Sequence, residues 1–240
     1  MTQPATAISG LPRVATIATM ASRAETFKLV LPAIHAQVDQ VFVYLDGYGA
    51  LPSFLNDFAR VSAFRAEEVG DLHCSSRFLC LRDLAVPTVV VPVDDDIGYP
   101  PDYVDRLVGA LEQVEGKAVV GVHGRVFMPP HRSYVHDATA FQFAQELVQS
   151  RHVHEVGVGT SAFVSDRLDL DPRGWDRTDM DDIVVAMEAQ RRGLPRIIVA
   201  RQANWMKVLG MRQPDSLWLR TQKDDAEQRR RMRALLALYV

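Results

Sequence analysis

The stretch Val89-Val90-Val91-Pro92-Val93-Asp94-Asp95-Asp96-Ile97 decides how the rest of the chain is read. An unbroken apolar run reads as a strand buried on both faces, and this one leads directly into three carboxylates. If the extended backbone continues, side chains alternate, so Asp94 and Asp96 point one way and Asp95 the other. Carboxylates sharing a face repel unless something positive lies between them. Hard divalent cations such as Mg²⁺ or Mn²⁺ take such oxygen ligands, often together with substrate phosphates. The next segment, Tyr99-Pro100-Pro101-Asp102-Tyr103-Val104, puts proline where a helix begins. Strand, acidic tip and helix point to a metal-diphosphate site at the carboxyl edge of an α/β sheet, where such folds bind ligands. A solvated turn whose aspartates only cap the next helix is the bland alternative.

The bulk composition sets limits around this reading. The 240 residues suit one large α/β domain with a small C-terminal extension. Hydrophobic residues at 48% and charged residues at 24% are ordinary for a globular chain. A net charge of −3 gives no reason to expect a nucleic-acid partner. No apolar run reaches the roughly 18 residues of a spanning helix. The start MTQPATAISG lacks the charged-then-apolar pattern of a secretory signal. Cys74 and Cys80 lack a second pair for zinc and read as reduced structural thiols, so a cytoplasmic protein is expected.

Residues 1–12 read as a flexible leader, 13–205 as the main domain and 206–240 as the extension. Strands are expected at Arg13–Thr19, Val41–Leu45, Val89–Val93, Ala118–Val122 and Ile197–Ala200, and Val61–Phe64 is only a short apolar segment within a polar stretch. A helix capped by Ser22 follows the first strand, with Phe27, Val30, Leu31, Ile34 and Val38 at helical spacing, and Pro32 should kink or shorten it. Ser75–Leu84 reads as helix-like, and Val104, Leu107, Val108, Leu111 and Val114 share one helical face. Ala138–Val148 reads as helical, Val153–Val164 as strand and turn, Thr178–Arg191 as a helix and Asp224–Tyr239 as a final helix.

Four places carry candidate chemistry. Thr19-Met20-Ala21-Ser22-Arg23 follows the first strand, where helix amides and an arginine can meet an anion. Asp46 ends the second strand and can accept from a nucleobase N–H, although an Asp-Gly turn explains it equally well. Asp94-Asp95-Asp96 is the third. The fourth is Thr178-Asp179-Met180-Asp181-Asp182-Ile183: Thr178 and Asp181 have the spacing of a capping box, which leaves Asp182 free to act as a base.

In this order the motifs resemble the GT-A-fold glycosyltransferases of the inverting, family-2-like kind. The resemblance runs over roughly residues 13–205 and rests on ATMASR, VFVYLDGY, DDDIGYPPDYV, VGVGTSAF and DDIVVAMEAQRRGLP. It implies an α/β fold with a mixed, mostly parallel sheet, and transfer of a sugar from a nucleotide-sugar donor to a hydroxyl acceptor. UDP is the expected nucleotide, the acceptor a carbohydrate or lipid-linked molecule, and bacterial polysaccharide or glycoconjugate synthesis the setting. By the same resemblance Thr19, Arg23 and Asp95 belong to the donor site, Asp46 reads the base and Asp94 contacts ribose or sugar. Asp96, with Asp94, binds Mn²⁺ or Mg²⁺ across the diphosphate. Asp182, with Asp181 beside it, aligns with the catalytic base. The chain departs from the processive synthases, because Gln190-Arg191-Arg192-Gly193 is not their Gln-x-x-Arg-Trp motif. Relatives often carry a lysine before the acidic motif; here only Arg77 and Arg82 are candidates for that diphosphate contact.

Other readings compete. A haloacid-dehalogenase-like phosphatase would use Asp94 and Asp96 as nucleophile and acid, Asp181 and Asp182 as distal metal acids, and Lys117 as its lysine. It normally starts at such a motif, whereas βα structure precedes this one. A sugar-phosphate nucleotidyltransferase needs a glycine-rich loop that ATMASR lacks, and a non-catalytic GT-A-like binding domain has no need for both acidic motifs. Acceptor contacts are expected from loops around His123–His136 and from Trp175. The tail Gln228–Val240 sets four arginines before an apolar end, which suits either peripheral docking at the inner face of a membrane or packing on the domain.

Overall fold

A computed structural model describes residues 7–210 and 217–239. Thirteen strands are numbered in chain order: β1 (Arg13–Met20), β2 (Gln40–Asp46), β3 (Val61–Arg65), β4 (Val89–Val93), β5 (Ile97–Gly98), β6 (Val119–Gly121), β7 (Gly124–Phe127), β8 (Ala138–Phe141), β9 (Arg151–His152), β10 (Glu155–Val156), β11 (Ser161–Val164), β12 (Arg196–Ile198) and β13 (Lys207–Val208). Six helices accompany them: α1 (Ala24–His35), α2 (Ala66–Val69), α3 (Tyr103–Gln113), α4 (Asp181–Arg191), α5 (Leu217–Lys223) and α6 (Ala226–Leu236).

The central sheet has eight strands in the order β3-β2-β1-β4-β11-β6-β12-β9. β1, β2, β3 and β4 are parallel, and β11 runs antiparallel between β4 and β6. β4 is buried at every residue, which is why it reads in sequence as a continuous apolar run. Its Pro92 cannot donate to a ladder. The pairing with β11 covers Val89 and Val90, lapses at Val91 and Pro92, and returns as a single bridge between Val93 and Thr160. That bridge brings the acidic tip against the turn before β11. Small sheets β10-β7-β8 and β13-β5 lie beside the main one.

α1 and α3 present Phe27, Val30, Leu31, Ile34, Val104, Leu107 and Leu111 to the largest core cluster, together with alternate residues of β1, β2 and β4. α1 continues through Pro32 and stops at His35, one turn later, with Arg23 rather than Ser22 at its N-cap. Val38 lies beyond the helix but stays buried. The expected helix over Ala138–Val148 is instead strand β8, which pairs with β7 from Phe127↔Ala138 to Gly124↔Phe141. Cross-strand pairing here overrides a helix-favouring composition. The second half of the expected leader packs on the domain: Ile8 and Leu11 lie against the core and Ser9 N donates to Glu112 Oε2. Residues 1–6 lie outside the described residues.

The C-terminal helix takes the packed course. Met232 and Leu235 are fully buried in a cluster with Met180, Ile183 and Ala186 of the α4 segment. Its arginines are engaged within the chain: Arg231 pairs with Asp176 at 2.6 Å and Arg230 with Glu227, while Arg229 and Arg233 donate to the carbonyls of Arg132 and His131. Tyr239 stands half exposed against the His154 ring, and Val240 lies outside the described residues. None of the described helices is long and apolar enough to cross a membrane.

Leu235→Ala should therefore destabilise the whole domain by about 2–5 kcal/mol, the usual cost of a cavity at a fully buried leucine. Urea unfolding followed by tryptophan fluorescence checks this: a single shifted transition is expected, and an unchanged midpoint would mean that α6 is not part of the folded unit.

Candidate functional site

The carboxyl ends of β1, β2 and β4 open onto a cavity of about 590 Å³. Its lining includes Thr19, Arg23, Asp46, Arg77, Asp94, Asp95, Asp96, Asp181 and Asp182, so the residues expected for donor, metal and base face one space. Arg82, the other arginine considered for the diphosphate contact, is exposed beside Asp83 and is not part of the lining. Lys117, which the phosphatase reading requires, is likewise outside the lining and pairs with Glu115.

The acidic tip does not alternate as extended backbone would. β4 ends at Val93, and Asp94 to Asp96 form a turn before the short β5. Asp95 and Asp96 consequently share one cation: Arg23 Nη1 lies 3.2 Å from Asp95 Oδ1 and 3.6 Å from Asp96 Oδ2. Asp94 turns instead to Arg77, whose Nη1 is 3.0 Å from its Oδ1. The second acidic segment meets the same guanidinium, with Asp181 Oδ2 3.4 Å from Arg77 Nε, an ion-pair distance without a hydrogen bond. Arg77 belongs to an eleven-residue 3₁₀ stretch, His73–Asp83, and its Nε donates to Cys74 O at 2.8 Å. A 3₁₀ helix repeats every three residues, so Cys74, Arg77 and Cys80 lie along one edge.

The turn Gly157-Val158-Gly159-Thr160 joins the two motifs from the other side. Val158 N–H donates to Asp182 Oδ1 at 2.7 Å. Gly159 abuts Asp94: a Cβ added there would lie 2.0 Å from Asp94 Oδ2. Tyr99 clamps the arrangement, its hydroxyl accepting from Asp94 N–H at 2.7 Å and donating to Gly159 O at 2.5 Å. This is the role of the tyrosine in the Gly-Tyr-Pro continuation of the acidic motif. At the start of α4 the N-cap is Met180, so Thr178 does not form the expected capping box. Its carbonyl accepts from Ser75 instead, and Asp181 Oδ1 accepts from Asp182 N–H at 3.1 Å.

Carboxylates packed this closely hold their protons more tightly than usual. Burial, then Asp94 and Asp95, push Asp96 up to about 7 against the opposing pull of Arg23. Burial also raises Asp95, and it raises Asp181 against Arg77. Asp182 is raised well above the ordinary carboxylate range by burial and then by Asp181. Burial depresses Arg77, but Asp181 and Asp94 more than offset this, so it stays a cation. Asp95 Oδ2 is buried with no hydrogen-bond partner among the described residues. Among the described residues Arg23 and Arg77 pair with four of these five carboxylates and Asp182 meets no cation, which leaves an excess of negative charge and oxygen-only donors. That donor set fits a hard divalent cation.

Several lining residues were not singled out from sequence. Asp71 and His73 lie beside Asp46, and one ligand atom from each of the three falls within 4.8 Å of the others, the one group of three so spaced for a metal ion among the described residues. Of the loop expected to serve the acceptor, His123, Arg125 and Tyr134 do reach the cavity, whereas Trp175 packs against Phe78 and stays out of it. Trp218 and Arg220 of α5 complete that side. Asp71 and His73 share one short segment and Trp218 and Arg220 one short helix, and neither pair has a spacing that announces it in sequence.

Compared with known proteins, the chain matches no family model and no curated protein.

Gly159→Ala should displace the Asp94 carboxylate, because the added Cβ would take its place, 2.0 Å from Oδ2 and 2.1 Å from Cγ, and force the side chain to rotate away. We expect a folded protein of lowered melting temperature in which Mn²⁺ no longer stabilises. Calorimetric melting with and without Mn²⁺ reads both effects, and a wild-type Mn²⁺ response would show that Asp94 does not need this close approach.

Proposed function

We propose that the protein is a metal-dependent glycosyltransferase that moves a sugar from a nucleotide-sugar donor to a hydroxyl acceptor with inversion. One observation carries this reading: two acidic segments far apart in sequence converge on a single cavity at the carboxyl ends of parallel strands. Nucleotides bind at that edge in α/β sheets. Thr19 and Asp46, at the tips of neighbouring strands, suit the donor's nucleoside, with UDP the expected nucleotide. Asp94 and Asp96 would hold Mn²⁺ or Mg²⁺, which when bound supplies Lewis-acid neutralisation of the leaving diphosphate. Arg23 and Arg77 hold those carboxylates in place and contribute further positive charge beside the phosphates.

The two acids of α4 differ in what they can do. Asp181 is committed to Arg77, and a carboxylate beside a guanidinium is a poor proton acceptor. Asp182 has no cation partner among the described residues; it takes one backbone N–H, and burial and Asp181 raise its pKa well above the ordinary carboxylate range. A carboxylate in that state can remove the proton of an acceptor hydroxyl as the hydroxyl oxygen attacks the anomeric carbon. A single base on the acceptor side, with the diphosphate leaving from the opposite side, is what inversion requires.

Asp96→Asn removes one anionic oxygen from the donor site and should abolish metal-dependent nucleotide binding while leaving the fold intact. Wild type should be stabilised by UDP only when Mn²⁺ is present, and the variant should lose that shift. Stabilisation of wild type by UDP without metal, or an unchanged shift in the variant, contradicts the metal assignment.

Asp182→Asn should keep donor binding and lower turnover by about 10²–10⁴-fold, since asparagine cannot accept the proton. The base must be deprotonated, so turnover should fall as pH drops below its raised pKa. Asp181→Asn removes a negative neighbour that raises that pKa and should move this acid limb to lower pH. A pH-rate profile of the three proteins decides: an acid limb unmoved by Asp181→Asn, or an active Asp182→Asn enzyme, would reverse the roles.

A further inference from the structure

The cavity is divided by charge. The wall formed by the two acidic motifs is crowded with carboxylates, whereas the wall formed by β7 and α5 carries Arg125 and Arg220. Neither arginine makes an ion pair among the described residues. Arg125 is only 6% exposed, and a buried guanidinium is costly unless something compensates it. Its guanidinium stacks between the rings of Tyr134 and Trp218, each at 4.6 Å, and its hydrogen bond within the chain is a long one, 3.4 Å to Tyr134 O. The neighbouring carboxylate, Glu155, attracts Arg125 electrostatically without an ion-pair contact, and accepts its hydrogen bond from the Tyr134 hydroxyl at 2.6 Å. Stacking fixes the plane of the guanidinium while leaving most of its N–H donors for a ligand, which is how arginine presents a fork to an oxyanion.

This wall adjoins the proposed base. Asp182 acts electrostatically on Tyr134, and Glu155 on Asp182. Gln228 of α6 donates to Thr221 Oγ1 of α5 at 3.0 Å, and α6 is packed on α4, the helix that carries Asp182. Trp218 is 39% exposed and offers an amphipathic ring at the rim of the cavity, suited to the apolar face of a sugar.

We propose that the Arg125–Trp218–Arg220 wall binds the acceptor, and that the acceptor is a sugar bearing a carboxylate or phosphate group close to its reacting hydroxyl. The inference rests on the glycosyltransferase reading for the word acceptor, but the binding site itself does not depend on transfer. Trp218 reports on it through its fluorescence. Titrations of the full-length protein would use glucuronate, glucose 6-phosphate, glucose and inorganic phosphate, without metal or donor.

Glucuronate or glucose 6-phosphate should change the fluorescence saturably, and which of the two binds identifies the anionic group. Glucose should bind roughly tenfold or more weakly, the cost of losing a charge-assisted hydrogen bond. Trp218→Phe should remove the signal. Arg125→Gln and the exposed Arg220→Gln should each weaken acidic-sugar binding, and Arg220→Gln leaves the proposal testable if the buried variant fails to fold. Equal binding of glucose, full reproduction of the response by inorganic phosphate, or unchanged titration of both arginine variants overturns the proposal. So does loss of Mn²⁺-dependent UDP binding in Arg220→Gln, which would move this wall to the donor. A wild-type protein that binds the acidic sugar but never UDP would refute the transferase reading and leave the anion site standing.

Discussion

Arg77 is the interaction on which the arrangement depends. Its guanidinium lies between Asp94, at the end of β4, and Asp181, at the start of α4, and among the described residues no other cation meets both acidic segments. Without it two carboxylates would face each other in a buried space, and removing one partner of a buried ion pair leaves the other uncompensated. The 3₁₀ stretch that carries Arg77 is buried from Ser75 to Cys80, so the cation is delivered from the interior rather than from a mobile surface side chain. The turn Gly157–Thr160 fixes the same two segments from the opposite side, through Val158 on Asp182 and Gly159 against Asp94.

The pairing does not neutralise the site. Raised carboxyl pKa values mean that the folded chain binds more protons here than the unfolded chain does. The associated stability is greatest at low pH and is lost as pH rises through the folded values, Asp96 near 7 among them. At neutral pH the cavity therefore stores repulsion that bound positive charge would relieve. Positive charge supplied from outside is what this wall lacks, and the opposite wall, with Arg125 and Arg220, has the converse need.

Much of this was legible in the sequence, for physical reasons that also explain the failures. β1, β2 and β4 lie in the interior of a sheet and read as apolar runs, and α3 reads from its single buried face. β8 was misread because four residues of pairing with β7 outweigh a helix-favouring composition that carries no tertiary information. The alternation of Asp94, Asp95 and Asp96 failed because it assumes a strand that continues, whereas Pro92 and the bridge to Thr160 end it at Val93. The choice between Arg77 and Arg82 could have been made from neighbours: Arg77 sits beside Phe78, Leu79 and Cys80, and Arg82 beside Asp83. Arg125, Trp218 and the Asp46–Asp71–His73 grouping had no such signal, since the fold alone brings them to the cavity.

The central claim is that Asp94 and Asp96 form the metal-diphosphate end of a donor site. It is tested most directly by anomalous scattering from a crystal grown with Mn²⁺ and UDP. The account predicts one Mn²⁺ peak within coordination distance of Asp94 and Asp96, with the diphosphate beside it. A peak held by Asp46, Asp71 and His73 instead, or UDP bound elsewhere than at the carboxyl ends of β1, β2 and β4, would contradict it.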